Sequence, residues 1–207
     1  MADDLVFYTN PNSRGRIVRW MLEEVGAPYR AEIVLYDDIK KPAFLAVNPM
    51  GKLPALSHDG TVVTECAAMI AYLADAFPDA GLAPPPAERG AYYRWLFFAA
   101  GPLEAAIVDR AQGHTPAPDK QRMVGYGTYD QTMDVLEKAV TRTPFVAGNS
   151  FTAADVYVCS QINFGLMFGT MPERDAFKTY ALRVTGRPAC QRAKTLDDQD
   201  MAEVESA

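Results

Sequence analysis

Three pieces of the chain carry groups whose types and spacing suit the capture of a small anionic or peptide-like molecule. A helix beginning at Glu65-Cys66 offers unpaired N–H groups and a positive dipole end, which attract a carboxylate. The Glu65 side chain brings an acid to the same place, where it also complements the helix dipole. Upstream, Asn48-Pro49-Met50-Gly51 reads as a turn, Lys52 supplies a cation, and Leu53-Pro54 opens a short strand. A strand edge that starts at a cis-proline turns the backbone of the preceding residue outward, where a peptide can pair with it as an added strand. The third piece, Tyr8-Thr9-Asn10-Pro11-Asn12-Ser13-Arg14-Gly15-Arg16, carries donors at Tyr8, Asn12 and Ser13. A serine at a helix start equally satisfies first-turn amides, and Asn-Pro-Asn equally forms a turn.

The elements that must position these groups are legible in two compositional regimes. Leu5 to Tyr8 and Glu32 to Tyr36 are β-rich runs, and between them Ile17, Met21 and Val25, with Val18 and Leu22 beside them, give Arg14 to Val25 a helical stripe. A connection of that length permits a right-handed crossover and parallel strands. Strands at Pro54–Ser57 and Thr61–Thr64 are joined by His58-Asp59-Gly60, whose Asp-Gly pair favours a tight hairpin, and a helix follows from Glu65 to Ala76. The order is β-α-β, a helix or loop, then β-β-α. The proline-rich stretch 79–87 cannot continue a helix and reads as a linker after a first domain at 1–78. Residues 88–207 read as all-helical, with helices near 88–113, 119–140, 152–168, 173–184 and 188–196, and an acidic tail expected to be solvated.

Composition narrows the class. The chain has 207 residues, 49% of them hydrophobic and 22% charged, as a folded globular protein does. Its net charge of -6 argues against general nucleic-acid binding. Neither a basic leader before an apolar run nor an apolar stretch near ~18 residues is present, so a cytoplasmic location and no membrane association are expected. Cys66, Cys159 and Cys190 lack paired or metal-ligand spacing, and there are only two histidines, so neither disulfides nor a metal is expected.

Asn48-Pro49-Met50-Gly51-Lys52-Leu53-Pro54 followed by Thr64-Glu65-Cys66 resembles the thioredoxin-like domain of the cytosolic glutathione S-transferase superfamily. The resemblance extends over nearly the whole chain and leans to the bacterial Ser-type, theta-like or beta-like, branch. It implies a thioredoxin-like α/β domain plus an all-helical domain, glutathione as co-substrate, and a homodimer. It also implies that Leu53-Pro54 is cis, that Leu53 pairs with the cysteinyl backbone of glutathione, and that Glu65 and the Cys66 amide hold its γ-glutamyl end. Lys52 would meet its glycyl carboxylate. Many relatives have serine where this chain has Cys66, which removes one side-chain donor. Ser13 matches the position that donates to the thiolate; Tyr8 and Asn12 are the other candidates for that role. No cysteine lies in the Tyr8–Arg16 segment, which disfavours glutaredoxin-like and omega-like mixed-disulfide chemistry, and the Ser-Ser-Cys loop of maleylacetoacetate isomerases is absent.

Within the helical region the resemblance places an apolar electrophile pocket on the first helix, where Tyr93, Phe97 and Leu103 lie with Tyr92 and Phe98. An aromatic stripe at helical spacing also serves as core. Arg94, Asp109 and Arg110 are polar candidates on the same stretch. Phe151-Thr152-Ala153-Ala154-Asp155 is a capping-box pattern that serves folding. The activity expected is glutathione conjugation in detoxification. Peroxidase, dehalogenase or isomerase chemistry on the same thiolate is the alternative, and a noncatalytic binding or assembly module is the alternative of another class.

Overall fold

The computed structural model describes residues 4–206; the acidic start at Met1–Asp3 and Ala207 lie outside the described residues. The chain divides into two compact units, one formed by residues up to Gly81 together with the segment from Arg187 onward, the other by Leu82–Gly186. By its sequence, all of 88–207 falls in the helical domain. The segment from Arg187 is instead part of the first unit, because its helix packs on the first helix of the chain.

In the first unit, β1 (Leu5–Thr9), α1 (Gly15–Val25) and β2 (Arg30–Ile33) form a β-α-β unit, followed by a one-turn α2 (Pro42–Leu45), then β3 (Ala55–His58), β4 (Thr61–Val63) and α3 (Cys66–Ala76). The strands form a sheet of order β2-β1-β3-β4, with β1 parallel to β2 and the other pairs antiparallel. This is the thioredoxin-like arrangement. Asp59 and Gly60 both have positive φ, as a two-residue hairpin turn requires. The second strand lies two residues earlier than its β-rich sequence suggests: β1 ends at Thr9, opposite Ile33, so Val34 donates a last bond to Thr9 and the chain turns away.

The alternation of β1 divides its side chains between the two sheet faces. Phe7 lies under the Arg19 guanidinium of α1, 5.5 Å from ring centroid to Cζ, whereas Tyr8 turns toward Phe44 of α2, with ring centroids 6.3 Å apart. The final helix, numbered α9 below and spanning Pro188–Ser206, runs antiparallel to α1. Arg16 pairs with Asp198, Arg19 with Asp197 and Asp200, Glu23 with Arg192, and Glu24 with Arg187. The acidic tail is therefore a paired helix rather than a solvated extension.

The second unit is helical throughout: α4 (Gly90–Phe98), a π-helical turn (Ala99–Leu103), α5 (Glu104–Ala111), α6 (Tyr129–Arg142), α7 (Ala153–Met167) and α8 (Asp175–Thr185). The expected helix over 88–113 is interrupted where Pro102 lacks an amide donor. That over 119–140 begins only at Tyr129, where Thr128 caps the Gln131 amide at 3.2 Å after a positive-φ Gly127. Asp155 closes the capping box of α7, accepting from the Thr152 amide at 2.9 Å, and also receives the Val146 amide at 2.7 Å and the Tyr180 hydroxyl at 2.6 Å.

Candidate functional site

Asn48 organises the loop before Pro54. Its Oδ1 accepts the Met50 amide at 3.1 Å, its Nδ2 donates to the Lys52 carbonyl at 2.8 Å, and its own carbonyl takes the Gly51 amide at 2.8 Å. Gly51 has φ 57 and packs so closely that a Cβ would lie 2.6 Å from the Ile39 carbonyl. The turn delivers the chain to Leu53-Pro54, whose peptide bond is cis. Because the β1–β3 ladder ends at Tyr8 opposite Ala55, Leu53 lies beyond it, half-buried, with Pro54 buried and Lys52 exposed.

Glu65 stands at the N-cap of α3 with φ 66 and ψ 118, a backbone conformation that costs a non-glycine residue on the order of 1–3 kcal/mol. Its side chain is exposed, and the first-turn amides of α3 follow directly. Cys66, the first helical residue, is half-buried and points its Sγ at the Arg14 carbonyl, 3.9 Å away. That contact brings the start of α3 beside the loop between β1 and α1.

The β1–α1 loop is pinned at each residue. Asn10 is buried; its Nδ2 donates to the Val34 carbonyl at 3.1 Å and its Oδ1 accepts the Asn12 amide at 2.9 Å. The Pro11 carbonyl takes Arg16 Nε at 2.7 Å, and the Asn12 carbonyl takes the Tyr36 hydroxyl at 3.1 Å. Ser13 Oγ donates to the Asn10 carbonyl at 2.7 Å and accepts the Gly15 amide at 2.9 Å. An oxygen that already accepts an N–H is a better donor through its own hydrogen.

Of the three candidate donors, Ser13 sits beside the first turn of α1 and is half-buried. Asn12 is exposed and contributes its backbone to the turn, while Tyr8 faces α2 rather than the first turn of α1. Asn10 and Asn48 are organisers that the sequence does not single out. Both have an Asn-Pro signal, but the buried side-chain bonds depend on where the rest of the chain runs. Nor does the sequence single out Thr9, whose Oγ1 is buried without a hydrogen-bond partner among the described residues and lies 1.9 Å from where a Cβ on residue 15 would be.

In the second unit, Tyr93 and Phe97 are exposed on α4, but Leu103 is fully buried and belongs to that unit's core, which corrects its assignment to a pocket. Arg94 lies over the Trp95 ring at 4.5 Å, Asp109 accepts the Tyr126 hydroxyl at 2.6 Å, and Arg110 lies over the Tyr129 ring at 4.3 Å. Asp109 and Arg110 thereby tie α5 to the segment that opens α6, whereas Arg94 covers its own chain neighbour. Burial pushes the Tyr126 hydroxyl up to about 12, helped by its bond to Asp109. Among the described residues no group of His, Cys, Asp and Glu is placed to hold a metal, and no helix is long and apolar enough to cross a membrane.

A thioredoxin-like sheet joined to a helical unit is the architecture of the known proteins that this chain matches. Residues 13–76 match the family model for the glutathione S-transferase N-terminal domain. Glutathione S-transferase 3 of Schizosaccharomyces pombe is 26% identical over 215 residues, covering 91% of this chain and 86% of the relative. Among solved structures, a glutathione transferase of Methylococcus capsulatus superposes with a TM-score of 0.78 at 26% identity, covering 94% of this chain and 99% of that one. A sphingomonad glutathione S-transferase complexed with glutathione superposes with a TM-score of 0.76 at 27% identity, covering 93% and 98%. The N-terminal domain match, the relatives and the superposed structures together support a member of the cytosolic glutathione S-transferase superfamily.

Proposed function

We propose that this protein is a Ser-type glutathione transferase that binds glutathione in its first unit, stabilises the thiolate through Ser13 and adds it to an apolar electrophile. The observation that carries the reading is the approach of Cys66 Sγ to the Arg14 carbonyl, which sets the anion-attracting start of α3 beside the loop bearing the Ser13 hydroxyl. The glutathione in the sphingomonad relative supports the same co-substrate here.

In this reading Leu53 pairs through its backbone with the cysteinyl residue of glutathione. The first-turn amides of α3, Cys66 included, take the γ-glutamyl carboxylate, and Glu65 takes its ammonium. Lys52 meets the glycyl carboxylate. The Ser13 hydrogen turns from the Asn10 carbonyl to the sulfur while Gly15 continues to donate to its oxygen. A free thiol of pKa ~8.5 lowered by two units requires ~2.7 kcal/mol of preferential stabilisation of its anion, a reasonable share for one aimed hydroxyl and a helix end. The thiol proton leaves to solvent and the sulfur lone pair forms the bond to the electrophile. Tyr93 and Phe97 are the aromatic residues proposed for the electrophile, and the protein is proposed to act as a cytoplasmic homodimer.

The test is the pH dependence of thiolate absorbance of bound glutathione near ~240 nm in wild type and Ser13→Ala, referred to a free thiol pKa of ~8.5. The expected result is a depressed pKa that returns toward the free value in the variant. A variant with an unchanged pKa moves the role to Asn12 or Tyr8, and a wild type that binds no glutathione ends the transferase reading.

A further inference from the structure

We propose that Arg16 is a positioning residue for the Ser13 hydroxyl and that Asp198 of α9 holds it in that role; the inference rests on the thiolate-stabilising function proposed for Ser13. Arg16 occupies the first turn of α1, where a cation opposes the helix dipole, so its place is unfavourable for the helix itself. Its guanidinium is divided between two partners outside the helix. Nε donates to the Pro11 carbonyl at 2.7 Å, and Nη1 meets Asp198 Oδ1 at 3.1 Å. Asp198 is held in turn by Lys194 at 2.7 Å, one turn earlier on α9. The same region of α9 presents Asp197 and Asp200 to Arg19, so Arg16 lies in a field of three acids and two neighbouring cations.

Pro11 lies in the turn that ends at Ser13. Asn10 Nδ2 donating to the Val34 carbonyl and the Tyr36 hydroxyl donating to the Asn12 carbonyl fasten that turn to the segment after β2, and the Arg16 bond fastens it from the helix side. Removing the guanidinium leaves the Pro11 carbonyl without its charged donor and lets the turn shift over the start of α1. The pair of Arg16 with Asp198 is partly exposed, 27% and 47%, and as a contribution to stability it is small and screened by salt. Its geometric consequence is larger, because a donor displaced by about an ångström no longer reaches the sulfur.

Wild type, Arg16→Met, Arg16→Lys and Asp198→Asn are compared by the thiolate titration of bound glutathione, by glutathione affinity, and by kcat and KM toward an activated aryl chloride. Arg16→Met is expected to keep glutathione affinity within about threefold, to raise the bound thiol pKa by roughly half a unit or more, and to lower kcat about 5- to 20-fold near neutral pH. Arg16→Lys should recover part of this. Asp198→Asn should shift the pKa in the same direction by less, and high salt should reproduce that smaller shift in wild type. A wild-type thiol pKa in Arg16→Met overturns the inference whatever its Tm. If Arg16→Met does not fold, an unchanged pKa in Asp198→Asn does the same. A wild type that fails to depress the pKa removes the Ser13 reading and this inference together, whereas a depressed pKa untouched by the variants removes this inference alone.

Discussion

Arg19 of α1 and Asp197 of α9 meet as a buried ion pair, Nε to Oδ1 at 2.8 Å, with side chains 3% and 1% exposed. Asp200 shares the guanidinium, and the Phe7 ring lies beneath it. Burial pushes the Asp197 carboxyl up to about 6 against the pull of Arg19 and Arg16. A carboxyl with a higher pKa in the folded than in the unfolded chain contributes stability below its unfolded value, and loses it as the pH rises through the folded one. Relative to Asp197→Asn, which cannot titrate, wild type is expected to lose on the order of 2–3 kcal/mol between about pH 4 and pH 7. Urea unfolding of both proteins across that range measures the difference; parallel pH profiles would sink the idea.

Arg19→Met leaves Asp197 in the interior without its partner. Breaking a buried pair from one side typically costs about 3–5 kcal/mol, far more than any partly exposed pair between the same two helices. Thermal unfolding at neutral pH should show a Tm lower by roughly 10 °C, given about 2–4 °C per kcal/mol for a chain of this size. A drop of only a degree or two would mean that α9 is held by its other contacts.

Asp155 gathers donors from Thr152, Val146 and Tyr180 at 0% exposure. Asp155→Ala strands these groups, and a loss of about 3–5 kcal/mol is expected, with Tyr180→Phe costing about 1–2 kcal/mol. Both changes should act on stability and leave the glutathione affinity of the folded fraction unaltered. Calorimetry combined with a binding titration separates the two effects.

Gly15 has no room for a side chain: a Cβ there would lie 1.9 Å from Thr9 Oγ1 and 2.9 Å from Ser13 Oγ. Gly15→Ala is expected to destabilise by about 1–3 kcal/mol and to impair thiolate formation, because relief of the clash moves the Ser13 turn. Adding Thr9→Ala removes the closest obstacle and should restore much of both. The double variant is measured by Tm and by the bound-thiol titration, and absence of any recovery would place the strain elsewhere.

Gly51 combines φ 57 with a close approach to the Ile39 carbonyl. Gly51→Ala is therefore strained twice over, and the chain should shift toward Leu53. The expected outcome is glutathione binding weakened about tenfold or more, by isothermal titration, with destabilisation of about 1–3 kcal/mol. Unchanged affinity would detach the Asn48 loop from the proposed site.

The sequence by itself determined the β-α-β order, the Asp-Gly hairpin and the capping box at Thr152 and Asp155, because each follows from local periodicity or from residues within one turn of each other. It also marked the pieces of the candidate site, since Leu53-Pro54, Glu65-Cys66 and Ser13 stand at element boundaries that turn and helix-start signals reveal. What only the tertiary structure decided are the relations across long separations. Charges on α1 and on the segment after Arg187 are complementary only when the helices run antiparallel, and no local pattern announces that register. The same applies to the buried bonds of Asn10 and Asn48, to the burial of Leu103, and to Tyr8 facing α2. In each case the neighbour that fixes the side chain comes from another element, and burial is a property of the packed chain.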